Sequence, residues 1–306
     1  MRLIFMGTPA FAVTSLQELL GGKHEILGVV TVPDKPQGRG RKLQSSPVKT
    51  FAQSHGLPIY QPISLKDPAF LAEMSRLSPD AFAVVAFRIL PEALFTLPKS
   101  GTINLHGSLL PKYRGAAPIQ WALLNGDSET GVTTFFIQKS VDTGNMLLQC
   151  KLAIEPDETF GELHDRMAHL GAKTLLDTLD GIAAGTLHPT PQDHAMATRA
   201  PKITPDLLPI DFKNPARMVH NQIRAFSPKP GAYTVLAGQR IKLLHSHLVQ
   251  EQGPPGEIIA VDGDGFTAAC EEDAVYITEV QPEGKRAMSS RAFMSGNPLQ
   301  TGAVFG

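Results

Sequence analysis

The 306-residue sequence predicts two domains, an α/β domain built on a parallel sheet and a smaller β-barrel domain. Three observations predict this division. Apolar strand-like runs alternate with amphipathic helical patterns in the first half of the chain, a proline-rich segment follows, and five short strand-like segments come after it. A chain of this length also exceeds what one hydrophobic core usually organises. We place the domains at 1–188 and 209–306, with a linker at 189–208.

The first domain shows regular alternation. Strands are expected at 3–6, 26–32, 81–87, 102–105, 132–138 and 146–154, and helices from residue 11, from residue 47, at 69–77 and at 159–184. Ser46-Pro47 is typical of an N-cap followed by proline at the first helical position, and Asp67-Pro68 stands at the start of the helix expected at 69–77. Alternating strands and helices favour a Rossmann-like parallel sheet, whose ligand crevice lies at the carboxyl ends of the strands.

The second half begins with a segment that suits neither helix nor sheet. Prolines stand at 189, 191, 201, 205, 209 and 215, which predicts an extended linker. One helix is expected at 216–225, followed by strands at 232–236, 241–247, 257–261, 265–270 and 274–280. Five short strands separated by glycine-containing turns predict a small OB-like barrel.

The charge and cysteine content exclude several classes of protein. The net charge of -1 gives no global attraction to nucleic acid or membrane, and the two distant cysteines, with no ligand-spaced His/Cys cluster, predict no metal site and a reducing compartment, the cytoplasm. The apolar run at the N-terminus is too short to span a bilayer. Residues 206–242 carry six basic and two acidic side chains, whereas 251–283 carry nine acidic and no basic ones. This split is explained either by ordinary solvated surface or by a basic face for a polyanion.

The segment 101–118, GTINLHGSLLPKYRGAAP, concentrates polar and conformationally special residues directly after a strand. Asn104 and His106 are two residues apart, so they share one face of an extended chain. An amide N–H can stabilise a developing oxyanion, and an imidazole can transfer protons near neutral pH. Asp142 follows a later strand and is expected to reach the same crevice. Taken alone, Asn104 and His106 are better explained as side chains that satisfy backbone groups at a strand end, and an Asx turn before Gly144 is a sufficient explanation of Asp142.

Together with the block LHGSLLPKYRGAAPIQWALLNGDSETGV and the later VDTG, Asn104, His106 and Asp142 resemble the folate-dependent formyltransferases. The resemblance covers nearly the whole chain. It implies that 10-formyltetrahydrofolate is the formyl donor, that Asn104 donates to the oxyanion, and that Asp142 positions His106 for proton transfer. It also implies a folate site that includes Ser108, Leu109, Leu110, Pro111, Ile89 and Leu90, without a metal. The pair Phe87-Arg88 departs from the Tyr-Gly that is common in the family.

The acceptor is indicated by the basic segment PDKPQGRGRKLQSSPVK at 33–49, which we expect to form a mobile loop that contacts phosphate. It resembles an insertion found in family members that formylate an aminoacylated tRNA, although a merely solvated connection is also compatible with such a loop. The implied acceptor is the methionine α-amino group of initiator methionyl-tRNA, used in translation initiation, and we expect a monomer. The candidate tRNA-binding residues are Lys35, Arg39, Arg41, Lys42, Lys213 and Arg217.

Three other functions compete with this interpretation. A formyltransferase for an amino sugar nucleotide shares the core, but the basic loop and the linked barrel argue against it. An RNA-binding protein with a degenerate enzyme domain is opposed by the intact Asn104, His106 and Asp142. A formyltetrahydrofolate hydrolase is disfavoured because no N-terminal small-molecule sensing domain is recognisable.

Overall fold

The structure, a computed structural model, describes residues 1–37 and 42–306 and forms two compact units. The first unit comprises Met1–Gly115, Gly131–Leu152 and Asp165–Arg199, and the second comprises Ala116–Thr130, Ala153–His164 and Ala200–Gly306. The second unit thus includes two segments, Ala116–Thr130 and Ala153–His164, that precede the proline-rich segment in the sequence. The contiguous domain boundaries given above stay a prediction.

The secondary structure consists of the following elements. The strands are β1 (Arg2–Gly7), β2 (Glu25–Val30), β3 (Lys35–Gln37), β4 (Lys42–Gln44), β5 (Ile59–Tyr60), β6 (Ala81–Val85), β7 (Thr102–His106), β8 (Arg114–Gly115), β9 (Glu129–Phe136), β10 (Met146–Ala153), β11 (Arg199–Ala200), β12 (Ala232–Leu236), β13 (Gln239–Val249), β14 (Ile258–Val261), β15 (Phe266–Ala269), β16 (Ala274–Pro282) and β17 (Met288–Ser289). The helices are α1 (Ala10–Gly21), α2 (Pro47–Ser54), α3 (Pro68–Arg76), α4 (Glu92–Phe95), α5 (Pro118–Leu124), α6 (Phe160–Ala184), α7 (Ala216–Phe226) and α8 (Ser290–Gly296). No helix among the described residues has the length and apolar character needed to cross a membrane.

The first unit is organised around a seven-stranded sheet in the order β10-β9-β7-β6-β1-β2-β5. Strands β1, β2, β5, β6 and β7 pair in parallel, and their buried apolar side chains account for the continuous apolar runs in the sequence. The predicted α/β fold class is confirmed. Strand β9, in contrast, pairs antiparallel with β7. An apolar run reads the same in both directions, so the sequence pattern carries no information about this reversal.

Local capping chemistry sets two helix starts. The Ser46 hydroxyl accepts a hydrogen bond from the Lys49 amide at 3.0 Å, and the Asp67 carboxylate accepts one from the Ala69 amide at 2.9 Å. The N-cap predicted at Ser46 is confirmed, and Asp67 caps the helix at whose start the sequence placed it. The segment predicted as a mobile basic loop contains the hairpin β3–β4, in which Lys35 lies opposite Gln44. Residues 38–41, which follow β3 in the sequence and precede β4, lie outside the described residues.

The second unit contains an antiparallel sheet in the order β12-β13-β16-β15-β14, with β17 beside β16. Its five main strands are those predicted from the sequence. The last residues of the chain connect the two sheet edges, since Phe305 bridges to Leu236 in β12 and Val304 bridges to Glu257 just before β14. This segment closes the sheet into a small barrel. The Phe305 ring stacks on the Phe212 ring in the core, with 5.1 Å between the ring centroids.

Candidate active site

Strand β7 carries the two polar residues that the sequence singled out. Asn104 lies opposite Phe135 of β9, and His106 lies opposite Thr133. The imidazole of His106 meets the Phe135 ring edge-on, with 6.4 Å between centroids. Paired residues in a sheet share a face, so this contact places Asn104 and His106 on the same side of the sheet. The period-two expectation from the sequence therefore describes their placement correctly.

His106 is anchored through one ring nitrogen. Its Nε2–H donates to the backbone carbonyl of Tyr113 at 2.8 Å, because a carbonyl can only accept. Its Nδ1 lies 3.8 Å from Oδ2 of Asp142, and both side chains are largely buried. This separation is longer than a hydrogen bond, and it is short enough for the carboxylate to attract the imidazole whenever the ring carries a second proton. Nδ1 is thus the nitrogen that can exchange a proton while the bond to Tyr113 stands.

Asp142 reaches His106 by a different route from the one that the parallel-sheet expectation gave. Because β9 runs antiparallel to β7, its carboxyl end lies beside Ile103 and not beside His106. The turn after β9 folds back instead, and Gly144 packs so closely on the carbonyl of Phe136 that a side chain there would collide with it. Asp142 has a φ of 53° and receives a hydrogen bond on Oδ2 from the Gly115 amide at 2.9 Å.

The side-chain amide of Asn104 makes no hydrogen bond within residues 1–37 and 42–306, and the residue is only partly buried. Its two N–H donors are therefore available to a ligand. A free amide and a proton-exchanging imidazole on one face of a sheet form a site that can bind an oxygen atom as it gains negative charge and can move a proton beside it.

The loop after β7 is held by side chains of β9 and β10. Its amide at Leu110 donates to the Thr133 hydroxyl at 3.0 Å, and its carbonyl at Leu110 accepts from Gln149 at 2.8 Å. The Ser108 hydroxyl is fully buried and donates to the Lys112 carbonyl at 2.6 Å. Ser108 thus shapes the loop, whereas Leu109 and Pro111 are partly exposed.

The two remaining candidate folate residues differ in their exposure to solvent. Ile89 is 78% exposed, whereas Leu90 is 6% exposed and packs in the core beneath the sheet. The guanidinium group of Arg88 donates to the carbonyls of Pro62 and Ile63 at 2.9 and 3.1 Å. Desolvation lowers the pKa of Arg88. Arg88 thus ties this loop to the segment after β5.

Of the candidate tRNA-binding residues, Lys35, Lys213 and Arg217 are exposed. Arg39 and Arg41 lie outside the described residues, as does the side chain of Lys42. Not every basic residue of the second unit is available to a polyanion. Arg224 is 6% exposed and donates to the side chain of Asn221 at 2.9 Å.

Sequence reasoning missed the residues that hold the site in shape. These are Tyr113, Gly115, Thr133, Gln149 and Gln192, and each acts through a backbone group or a hydrogen bond that the linear sequence does not display. Tyr113 has a φ of 61°, an unusual conformation for a large side chain. Within the described residues, no group of three or more His, Cys, Asp or Glu side chains is arranged to hold a metal ion.

Two family models match the chain. The formyl transferase model matches residues 1–179, and the model of the formyl transferase C-terminal domain matches residues 202–298. The chain belongs to the formyltransferase family. The resemblance given from Asn104, His106 and Asp142 is confirmed at the level of the family.

Individual proteins resemble the chain to different degrees. The methionyl-tRNA formyltransferase of Moorella thermoacetica is 46% identical over 100% of this chain and 99% of its own length. The N-formyltransferase of Helicobacter canadensis, solved with folinic acid and dTDP-3-aminofucose, has a TM-score of 0.69 and 22% identity, covering 92% of this chain and 98% of that one. HypX of Aquifex aeolicus, solved with tetrahydrofolic acid, has a TM-score of 0.68 and 17% identity over 100% of this chain and 50% of HypX. These two structures share the fold with this chain.

Proposed function

We propose that this protein transfers the formyl group of 10-formyltetrahydrofolate to the α-amino group of methionine on initiator methionyl-tRNA. One observation carries the proposal, the 46% identity to a methionyl-tRNA formyltransferase over 100% of this chain and 99% of that protein. The sugar N-formyltransferase shares only 22% identity, so it supports the fold and not the acceptor. The proposed acceptor is made where translation takes place, so we expect the protein to act in the cytoplasm, and we expect a monomer.

Asn104 is proposed to stabilise the reacting oxygen. The folate supplies a formyl carbon bonded to N10, and attack by the neutral amine moves the carbonyl electron pair onto oxygen. The Asn104 amide, with both of its donors unused among the described residues, would donate to that oxygen as it gains charge. A donor of this kind typically lowers the activation barrier by about 2.7–4 kcal/mol.

His106 and Asp142 are proposed to move the proton that the reaction must relocate. The new C–N bond leaves an excess proton on the amine, and cleavage of the C–N10 bond requires a proton on N10, so the net change is one proton transfer. His106 would perform it at Nδ1, since its Nε2 is engaged by Tyr113. The Asp142 carboxylate, 3.8 Å from Nδ1, would favour the imidazolium while the proton is in transit.

The RNA would be held by exposed cations. Lys213 and Arg217 lie on the second unit, and Lys35 lies at the start of the β3–β4 hairpin. We extend this set by sequence to Arg39, Arg41 and Lys42. Contacts of this type release counterions from phosphate and make binding sensitive to salt.

The acceptor is tested by a direct competition. The purified protein would be incubated with 10-formyltetrahydrofolate carrying a labelled formyl group, together with initiator methionyl-tRNA and a dTDP-linked amino sugar in one reaction. We expect label on the tRNA and none on the sugar nucleotide. Label on the sugar nucleotide alone would contradict the proposal, and so would release of labelled formate with neither acceptor modified.

A further inference from the structure

The side-chain amide of Gln192 joins two segments of the first unit. Gln192 is only 6% exposed, although it lies in the proline-rich segment. Its Nε2 donates to the backbone carbonyls of Asp142 and Gly144, at 3.0 and 2.8 Å. Its Oε1 accepts from Nε and Nη2 of Arg114, at 3.0 and 2.6 Å. Both amide hydrogens and both oxygen lone pairs are thus in use.

These two segments are the ones that hold the proposed proton-transfer groups. Arg114 stands between Tyr113, whose carbonyl fixes the His106 ring, and Gly115, whose amide binds the Asp142 carboxylate. The Nε2 group of Gln192 donates to the backbone carbonyl of Asp142, the residue whose carboxylate faces His106. One side chain therefore fixes the supports of His106 and Asp142 relative to each other.

The backbone here needs outside support. Asp142 and Tyr113 have φ angles of 53° and 61°, in the left-handed region that disfavours residues with a Cβ atom. Such conformations persist when surrounding groups fix them. A further bond acts in the same direction, since the Tyr113 amide donates to the Thr198 hydroxyl at 2.8 Å. The proline-rich segment therefore contributes directly to the shape of the site.

We propose that Gln192 is a positioning residue for formyl transfer, and that its amide sets the separation between the Asp142 carboxylate and the His106 imidazole. The proposal rests on the proposed function, because it assigns Gln192 its effect through the roles given to His106 and Asp142. The effect assigned to Gln192 is indirect, since its side chain is buried and its amide is engaged by the two segments.

The most informative variant is Gln192→Glu, which retains the size of the side chain and an acceptor for Arg114 but removes both donors to the turn. We expect kcat to fall by about ten- to a hundredfold, the scale of a small misplacement of a reacting group, and KM for each substrate to stay within about twofold. Hydrogen exchange of the peptide 138–146 should become faster. Gln192→Met removes all four bonds and carries the same expectations if the glutamate variant is not recovered folded.

Gln222→Glu is a matched control. Its amide also donates to two backbone carbonyls, those of Leu207 and Pro209, both at 2.8 Å, and neither belongs to the site. The kcat of this variant should remain within about twofold of wild type, and exchange of the peptide 138–146 should be unchanged.

A double-mutant cycle distinguishes positioning from general loosening. If Gln192 acts through Asp142, adding Gln192→Glu to Asp142→Asn should lower kcat by less than about twofold further. The same fold-decrease in both backgrounds would overturn the proposal, as would a kcat for Gln192→Glu equal to wild type. A wild-type protein that does not formylate methionyl-tRNA would refute the proposed function, and the exchange measurement would still test the hold of Gln192 on the turn.

Discussion

Two histidine–aspartate pairs in this protein contain the same chemical groups but differ in how many nitrogens of the imidazole ring are hydrogen-bonded. His106 has one nitrogen bonded to a carbonyl and the other 3.8 Å from Asp142. In the second unit, His220 has both nitrogens bonded, Nδ1 to the Ser246 hydroxyl at 2.9 Å and Nε2 to the Pro156 carbonyl at 3.1 Å, with Asp157 3.5 Å away.

The neighbours of the two pairs differ in the same way. Ser246 and His220 are each 2% exposed, so neither this hydroxyl nor this imidazole is open to a substrate. Beside His106 stands Asn104, whose amide is unused among the described residues. Residue types alone therefore do not identify an active site. An available nitrogen next to an available donor is the feature that separates the proposed reactive pair from the structural one.

The largest expected effect is at Asn104, and it sharpens the comparison by testing the unused donor. Replacing Asn104 by Ala should lower turnover by about a hundredfold or more, the scale for losing an oxyanion donor. The melting temperature should change little, since the amide makes no hydrogen bond with any described residue. The measurements are single-turnover formyl transfer and thermal unfolding. A folded Asn104→Ala protein with near wild-type turnover would remove Asn104 from the mechanism.

A smaller effect is expected for the cations of the second unit. Here too, exposure distinguishes side chains that can bind RNA from one that is buried in the fold. Lys213 and Arg217 are exposed, whereas Arg224 is buried and close enough to His220 to affect its pKa. Replacing Lys213 and Arg217 by Ala should weaken tRNA binding and reduce the slope of log Kd against log salt by about two. Folate affinity should be unchanged.

The control for this variant is Lys285→Ala with Arg286→Ala, which removes two exposed cations of the same unit outside the proposed surface. Binding would be titrated at several salt concentrations. Equal loss of salt dependence in the two double variants would mean that the effect comes from net charge and not from the surface formed by Lys213 and Arg217.

The smallest effect concerns stability, and it tests the structural role of His220. Burial, assisted by the nearby charges of Arg224 and His247, lowers the pKa of His220, and the Pro156 carbonyl and Asp157 oppose this only in part. The unfolded state therefore binds a proton more readily than the folded state, so stability should decline as the pH falls below about 6.5, the ordinary histidine value. His220→Gln should lose about 1 kcal/mol at pH 7.5 but decline less steeply below that pH. Urea unfolding at pH 7.5 and 5.5 measures both, and parallel declines would exclude His220 as the titrating group.

The sequence predicts those features that short-range rules determine. The capping side chains at Ser46 and Asp67 act within three residues, and the shared face of Asn104 and His106 follows from the period of a strand. The expectation that Asp142 reaches this crevice also agrees with the structure, but for another reason, since the close packing of Gly144 turns the chain back after an antiparallel strand.

Other features depend on contacts distant in sequence. Gln192 lies 50 residues beyond Asp142 in a segment whose prolines indicate only an extended chain. The barrel is closed by Val304 and Phe305, which bridge residues 236 and 257. Hydrophobic periodicity describes single elements and contains no information about such partners.

His106 is proposed to move protons, whereas His220 holds two hydrogen bonds inside the second unit. The most direct test is the turnover of His106→Gln and His220→Gln, measured side by side with saturating 10-formyltetrahydrofolate and methionyl-tRNA and normalised to folded protein. We expect turnover to fall by about a hundredfold or more for His106→Gln, the usual contribution of a proton-transfer group, and by less than about twofold for His220→Gln. Equal losses in the two variants, or a larger loss at His220, would contradict this proposal.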